Sequence, residues 1–206
     1  MIFNRIKVAK HLGDGISMNT IRHNIRGSGE LSSPRSHLLI RPIITLDSVR
    51  RNVRNLKVLT IGPRGDGEIF NLVGYGFSRK NVTGLDLFSF SRHIDVGDMH
   101  NMDYEDDQFD IVISGWVLGY SDDKKRCADE MKRVCKKGGI VAIGNGYYEL
   151  TKEEIIQQGG LEIGSNEKVT NLDFIQKLFD ANDVVFSYDG SLDHVSGAPL
   201  ILVFRN

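Results

Sequence analysis

The regular alternation of short apolar runs with helical patterns after residue 56 constrains the fold more than any other feature of the sequence. Apolar residues recur at helical spacing in 67–75, 122–135 and 170–181, and Thr151-Lys-Glu-Glu154 is a capping box that predicts one further short helix. Seven apolar runs are typical of buried strands: Lys57–Ile61, Asn81–Leu85, Ile94–Val96, Phe109–Ser114, Gly139–Gly144, Val184–Tyr188 and Leu200–Phe204. This order predicts an α/β protein whose mostly parallel, seven-stranded sheet is covered by helices on both faces.

The last two strands should depart from the parallel order. A turn at Asp189-Gly190 and an irregular loop of about ten residues separate them, which is too short for the helical crossover that parallel strands need. We therefore predict a three-layer sandwich with an antiparallel last strand.

The length and composition indicate one domain. With 206 residues, of which 40% are hydrophobic, the chain can bury a continuous core without a second domain. Residues 1–55 form a basic, glycine-broken segment, in which a helix should open at Pro42 and run to Arg54. We expect this segment to belong to the same domain as residues 56–206 and to act as a lid over a site there. No apolar run approaches the roughly 20 residues that span a bilayer, so we expect a cytoplasmic protein with no membrane partner.

The net charge of -1 hides an asymmetry along the chain. Residues 1–57 carry eleven Lys or Arg against three acids, a balance of +8, which leaves -9 for the remainder. A basic front segment can attract an anionic substrate or a nucleic acid, or it can simply dock on the acidic body. The basic residues are not interleaved with aromatic ones, which disfavours single-stranded nucleic acid as a partner.

The two cysteines, Cys127 and Cys135, lie eight residues apart in a segment with helical spacing. Nothing near them supplies the other residues of a metal-ligand pattern. We interpret them as small core residues and predict no metal site.

A glycine-rich turn follows the first strand and is the first candidate for a ligand site. It reads Gly62-Pro-Arg-Gly-Asp-Gly67, and Asp86 follows the second strand about 20 residues later. Such glycines let backbone N–H groups approach a ligand, and a carboxylate at that distance can accept both hydroxyls of a ribose. The pair is shared by NAD-binding and S-adenosylmethionine-binding domains, and glycine turns without a ligand are common.

Two later stretches distinguish these possibilities. Residues 95–120 place Gly97-Asp98 after a short strand, then an acidic turn, then Phe109-Asp110 at the start of the fourth strand. Residues 130–143 read EMKRVCKKGGIVAI, a helix, a lysine-glycine turn and a strand. In order and spacing, the chain from residue 56 to 206 resembles the class I, Rossmann-like S-adenosylmethionine-dependent methyltransferases.

The resemblance implies S-adenosylmethionine as cofactor and a set of residues around it. The glycine loop would surround the methionine part, Asp86 would bind the ribose hydroxyls, and Asp98 would accept from the adenine amino group. The end of the fourth strand would line the floor beside the sulfonium. The implied cofactor-binding residues are Gly62, Pro63, Arg64, Gly65, Gly67, Glu68, Asp86, Leu87, Asp98, Met99, His100, Ser114, Gly115 and Trp116.

The sequence departs from the family pattern in the glycine loop and before it. Two alignments of the loop are possible: one places Arg64 and Asp66 where the family has glycines, and the other shifts the last two glycines by one residue. Family members carry an acidic residue two positions before the first glycine, where it helps to hold the cofactor's ammonium group, and here that position is Thr60. One hypothesis is that Arg64 binds the cofactor's carboxylate while Glu68 or Asp66 replaces the missing acid. The sequence does not choose between the two acids.

The expected reaction is methyl transfer to oxygen or nitrogen of a small acceptor, with an anionic acceptor as one option. Candidates for a base or an orienting group are His100, Tyr120 and Tyr147. An alternative is a methyltransferase-like binding protein that catalyses nothing, which Thr60 and the irregular loop would permit. A dehydrogenase explains the loop and Asp86 but not Gly97-Asp98. Methylation of the amino groups of nucleic-acid bases is disfavoured, because the fourth strand is followed by Ser114-Gly-Trp-Val and not by an Asn/Asp-Pro-Pro-aromatic signature.

Overall fold

The computed structural model describes residues 7–8, 34–148, 154, 157 and 168–206. The helices are α1 (Ser36–Thr45), α2 (Asp47–Arg50), α3 (Asp66–Gly74), α4 (Lys124–Val134) and α5 (Leu172–Leu178). The strands are β1 (Lys7–Val8), β2 (Val58–Ile61), β3 (Val82–Asp86), β4 (Phe88–Ser89), β5 (Ile94–Val96), β6 (Phe109–Gly115), β7 (Cys135–Gly146), β8 (Asp183–Asp189) and β9 (Pro199–Arg205).

The sheet confirms the predicted topology. Its order is β5-β3-β2-β6-β7-β9-β8, and β9 runs antiparallel to both of its neighbours while the other pairs are parallel. The strand order reverses between β2 and β6, because the chain first builds outward through β3 and β5 and then returns to the other side of β2. Ligands of open α/β sheets bind at such a switch point, beyond the carboxyl ends of the strands.

Helices cover both faces of the sheet, as the three-layer prediction requires. On one face α1 and α3 bury Leu39, Ile43 and Leu72 against inward residues of the strands. On the other face α4 and α5 bury Met131 and Ile175. Because successive strand residues point to opposite faces, each central strand contributes to both hydrophobic layers.

The first helix differs from its prediction. It begins at Ser36, places Pro42 in its interior, and ends at Thr45, after which α2 forms separately. Proline favours the first turn of a helix, but here three apolar residues on the buried face of α1 are completely inaccessible to solvent: Leu39, Ile40 and Ile43. Packing of this face therefore extends the helix across the proline, and the extended backbone of Leu46 separates α1 from α2.

A small second sheet was not predicted. Strand β1 pairs antiparallel with β4, with Lys7 opposite Ser89 and Val8 opposite Phe88. Most of the predicted helix that opens at Thr151, and most of the expected lid, residues 1–6 and 9–33, lie outside the described residues, which include only 154 and 157 of that helix.

Both cysteines are buried and free, Cys127 in α4 and Cys135 at the start of β7. Within the described part of the chain, no group of three or more His, Cys, Asp or Glu side chains could hold a metal ion. None of the described helices has the length and apolar character of a membrane-spanning segment.

Candidate functional site

The carboxyl ends of four strands form one row, which aligns the candidate residues. Ile61 of β2 lies opposite Leu85 of β3 and Ser114 of β6, and Ser114 lies opposite Ile143 of β7. The residues that follow these positions therefore meet at one edge of the sheet.

The glycine loop lies close against the segment after β6. Gly62 has φ +70° and its N–H donates to the carbonyl of Leu85 at 2.8 Å. A Cβ atom added at Gly62 would lie 2.0 Å from Cγ1 of Val117. Both the backbone conformation and this distance require glycine, so the loop is a close-approach turn.

Asp86 holds this loop from the neighbouring strand. Its Oδ2 accepts the backbone N–H of Arg64 at 3.1 Å, and Arg64 has φ 57°, a left-handed conformation unusual for arginine. Burial raises the pKa of Asp86 to about 6, while the N–H groups of Arg64, Leu87 and Phe88 oppose that rise. The carboxylate thus faces the loop, and it stabilises a backbone conformation that arginine adopts only with strain.

Thr60 and Glu68 form a buried pair at the end of β2. The Thr60 hydroxyl donates a short hydrogen bond to Oε1 of Glu68, which lies in the first turn of α3 and is 5% exposed. Burial, together with the negative charge of Asp86, raises the pKa of Glu68 to about 7, against the lowering effect of the Thr60 hydrogen bond. The other carboxylate oxygen, Oε2, lies 3.6 Å from the position that a Cβ of Gly115 would take. The buried carboxylate of Glu68 therefore lies beside Thr60, the position at which the resemblance implies an acidic residue.

Asp66 points elsewhere. Its Oδ1 accepts a hydrogen bond from the Ser91 hydroxyl at 2.6 Å, on the side of β4 and β5. Of the two acids that the sequence offered as substitutes, Glu68 lies at Thr60 and Asp66 is held by Ser91.

The turn after β5 holds Asp98 and His100 together. Oδ1 of Asp98 accepts from the backbone N–H of His100 at 2.9 Å and lies 2.6 Å from Nδ1 of its ring. The other ring nitrogen, Nε2, lies 2.8 Å from the Ser121 hydroxyl. His100 thus lies in a hydrogen-bond network on the β5 side of the edge, and both of its ring nitrogens have partners. Met99, between Asp98 and His100 in the sequence, packs against the core.

The end of β6 forms the centre of the edge. Ser114 is fully buried and its hydroxyl has no hydrogen-bond partner among the described residues. Trp116 has φ 59°, and the guanidinium of Arg35, just before α1, lies 5.5 Å from the centre of its ring. This distance is typical of a cation–π contact. The ring also covers Gly144, where an added Cβ would lie 2.9 Å from it.

The tyrosine candidates lie on the β7 side of the centre. Burial raises the pKa of the Tyr120 hydroxyl, and the neighbouring charges that act on it belong to Tyr148, Arg64 and Arg35. Tyr148 lies over Gly146, and Tyr147 packs against the core beneath α4 and α5 while its backbone pairs with the loop before β9. Of the two tyrosine candidates, Tyr120 is therefore the one near Arg35 and Arg64, whereas Tyr147 packs against the core.

Residues 59–143 match the family described as a methyltransferase domain. This range contains the glycine loop, Asp86, Asp98 and the end of β6, in the arrangement described above. Residues 59–143 therefore form a methyltransferase domain, and the seven-stranded sheet around them has the class I, Rossmann-like topology. A comparison with curated proteins gave no significant sequence match.

Solved structures agree with the methyltransferase fold. The Haloferax volcanii methyltransferase solved in complex with the Trm112 methyltransferase activator has a TM-score of 0.64 at 16% identity, over 90% of this chain and 94% of that one. An S-adenosyl-L-methionine-dependent methyltransferase from Methanococcus maripaludis has a TM-score of 0.53 at 18% identity, over 97% of both chains. The trans-methyltransferase CalH in complex with SAH has a TM-score of 0.58 at 12% identity, over 81% of this chain and 55% of that one.

The methyl donor of this methyltransferase is S-adenosylmethionine, and the site fits that molecule. A buried carboxylate suits its ammonium group, and the glycine loop leaves no room for a side chain at Gly62. The buried Ser114 hydroxyl, which has no partner in the described part of the chain, can accept or donate a hydrogen bond. Sequence reasoning missed Val117 and Ser121 as contributors to this edge, and it included Arg35 only as part of the basic front segment expected to form a lid. Each approaches through tertiary contact with residues distant along the chain, so no local pattern marks it.

Proposed function

We propose that this methyltransferase transfers the methyl group of S-adenosylmethionine to an oxygen or nitrogen atom of a small, anionic and aromatic acceptor. The observation that carries the proposal is the guanidinium of Arg35 over the ring of Trp116, at the end of the strand that meets the cofactor loop. A guanidinium beside a half-buried tryptophan ring suits an acceptor that has both a carboxylate and a ring.

In this proposal Glu68 holds the cofactor's ammonium group. Its buried carboxylate accepts a hydrogen bond from the Thr60 hydroxyl through Oε1, and its Oε2 faces Gly115. An ammonium group at Oε2 would therefore form an ion pair shielded from water. Arg64 binds the cofactor's carboxylate, Asp86 the ribose and Asp98 the adenine amino group. The remaining implied residues, Pro63, Gly65, Gly67, Leu87, Met99 and Ser114, line the same edge.

The bound cofactor supplies an electrophilic methyl group on a positively charged sulfur. Transfer forms a bond from the acceptor atom to the methyl carbon and returns the S–C electron pair to sulfur, which leaves a neutral thioether. Positioning the acceptor in line with that bond accounts for most of the rate acceleration that such a site needs.

Tyr120 is proposed to orient the acceptor. Its raised pKa keeps the hydroxyl protonated at neutral pH, so it donates a hydrogen bond and does not serve as a base. His100 is set aside as a base because both of its ring nitrogens are engaged by Asp98 and Ser121. An acceptor that has already lost its proton to solvent, such as a phenolate, requires no base. An amine attacks with its free lone pair, and the methylated ammonium then releases its proton to solvent.

The test is a turnover assay with matched acceptors. The full-length chain is incubated with labelled S-adenosylmethionine and with 4-hydroxybenzoate or 4-aminobenzoate, each paired with its carboxamide. Formation of S-adenosylhomocysteine and of methylated product is followed by mass spectrometry. We expect turnover of the carboxylates and weak turnover of the amides. Tight binding of S-adenosylhomocysteine without turnover of any acid in an extended panel of aromatic carboxylates would instead favour the non-catalytic binding protein.

We expect Arg35→Gln to lower kcat/KM for the carboxylate acceptors by about tenfold, the usual effect of losing one charge-assisted contact. The amide acceptors and the affinity for S-adenosylhomocysteine should not change. Arg41→Gln is the matched control, because the Arg41 guanidinium contacts the Tyr75 hydroxyl at the far end of α3. An equal loss for acids and amides would show that Arg35 does not recognise the anion. This variant also tests whether the front segment, expected to form a lid, contributes to acceptor choice.

A further inference from the structure

Asp98, His100, Ser121 and Cys127 form one continuous chain of hydrogen bonds beneath the turn after β5. His100 bridges Asp98 and Ser121, and the Ser121 hydroxyl also lies 3.2 Å from Sγ of Cys127 and 3.1 Å from the backbone nitrogen of Asp123. Ser121 is 1% exposed, whereas the side chain of Asp98 is 33% exposed. The chain therefore runs from a buried hydroxyl to a carboxylate that a ligand can reach.

The donors and acceptors determine where the imidazole proton lies. The Asp123 N–H donates to the Ser121 hydroxyl oxygen, and so does the Cys127 thiol, whose pKa burial raises to about 12. A hydroxyl oxygen accepts two hydrogen bonds, so both acceptor positions of Ser121 are filled and its own O–H donates to Nε2 of His100. The ring proton is consequently on Nδ1, where it is donated to Asp98.

This arrangement directs the carboxylate of Asp98. Its Oδ1 receives two hydrogen bonds from His100, one from the backbone N–H and one from Nδ1. The other oxygen, Oδ2, is thereby left as the atom that a ligand meets. A carboxylate with a fixed rotamer can distinguish a hydrogen-bond donor from an acceptor more sharply than a free one.

Helix α4 holds the same turn from outside. Nε of Arg126 donates to the carbonyl of His100 at 2.7 Å, Oε2 of Glu130 accepts from the N–H of Met102 at 2.7 Å, and Arg133 donates to the carbonyl of Met102 at 2.9 Å. Three side chains of α4 therefore hold the backbone of this turn in place. A turn that only connects two elements would not need these contacts.

We propose that His100 is a positioning residue: held in one tautomer by Ser121, it fixes Asp98 so that Oδ2 selects the 6-amino group of adenine. This inference rests on the proposed function, which assigns Asp98 to the adenine. The Asp98–His100–Ser121 geometry also resembles a hydrolytic triad, but a serine that is 1% exposed cannot reach a substrate.

The test compares S-adenosylhomocysteine with S-inosylhomocysteine, in which a carbonyl oxygen replaces the 6-amino group. Affinities for both compounds are measured by calorimetry on the full-length wild type, His100→Phe, His100→Asn, Ser121→Ala and Asp98→Asn. His93→Phe is the matched control, because it makes the same substitution seven residues earlier, outside the network. The ratio of the two affinities is taken from one preparation, so it does not depend on the fraction of correctly folded protein.

We expect the wild type to prefer the amino compound and His100→Phe to reduce that preference by about fivefold or more, as loss of one orienting hydrogen bond predicts. His100→Asn, whose amide can donate near the position of Nδ1, should retain most of it, Ser121→Ala should lose part, and His93→Phe should retain all. An unchanged preference in His100→Phe, with the preference lost in Asp98→Asn, would overturn the role of His100 alone. A preference that survives Asp98→Asn would overturn the adenine assignment and this inference together.

Discussion

Glu68→Gln should weaken binding of S-adenosylhomocysteine at pH 7.5 by about 30-fold, or about 2 kcal/mol, the scale of a lost charge-assisted hydrogen bond in a buried site. The same substitution should stabilise the cofactor-free protein at that pH. The two effects have opposite signs because the buried carboxylate is unfavourable until the ammonium group of the ligand arrives.

The sign of the stability effect follows from the raised pKa of Glu68. The group has a pKa near 4.5 when unfolded and about 7 when folded, so its contribution to stability is complete below pH 4.5 and is lost as the pH rises through 7. At about 1.4 kcal/mol for each pKa unit, the cofactor-free protein loses roughly 3 kcal/mol from this group by pH 8. Glutamine stays neutral, so the unfolding free energy of the variant should change less between pH 4.5 and 7.

Binding should show the opposite dependence on pH. The ammonium group requires the ionised carboxylate, so wild-type affinity should be about tenfold weaker at pH 6 than at pH 7.5, and Glu68→Gln should remove most of this difference. Calorimetric titration gives the affinities and urea unfolding gives the stabilities. Asp110→Asn is the control, since it neutralises a carboxylate at the opposite edge of the sheet, beside Lys57 and Lys136. Unchanged affinity in Glu68→Gln would contradict the ammonium assignment.

The sheet could be predicted from the sequence because each strand is short, apolar and flanked by polar turns. The bounds of β2, β3, β5 and β6 agree with the predicted runs to within one residue at either end. The start of α1 could not be predicted, because it depends on burial of Leu39 and Ile40 against a sheet formed much later in the chain. Pro42, the strongest local indication of a helix start in this segment, predicted that the helix begins six residues later than it does.

The sequence indicated which strand-end residues lie at the candidate site, but not the side-chain contacts between them. The glycine loop, Asp86 and Asp98 each lie at or just after the end of a strand, which the local sequence pattern reveals. The choice between Asp66 and Glu68 did not follow from the sequence, since both lie in the first turn of α3 at helical spacing from its apolar residues. Asp66 is three residues before Ile69, and Glu68 is four before Leu72. Only the position of Thr60 and Ser91 beside the helix separates them. The contact of His100 with Ser121 spans 21 residues and has no local signature.

Gly62→Ala should destabilise the protein by about 3 kcal/mol and weaken S-adenosylhomocysteine binding at least tenfold. About 1 to 2 kcal/mol of the loss comes from a side chain at φ +70°, and the rest from the overlap of the new methyl group with Val117. Binding should suffer as well, because relief of the overlap moves the loop away from the end of β6. Urea unfolding and calorimetric titration measure the two effects.

Gly138→Ala separates the two causes. Gly138 has φ +73°, nearly the same conformation as Gly62, but an added Cβ there meets no atom within 4 Å. It should therefore lose only about 1 to 2 kcal/mol, with unchanged cofactor affinity. The double variant Gly62→Ala/Val117→Ala should be more stable than the sum of its single changes predicts, since the smaller side chain removes the overlap. Equal losses in Gly62→Ala and Gly138→Ala would mean that the loop does not depend on close contact with Val117, and the close-approach role of Gly62 would then have to be abandoned.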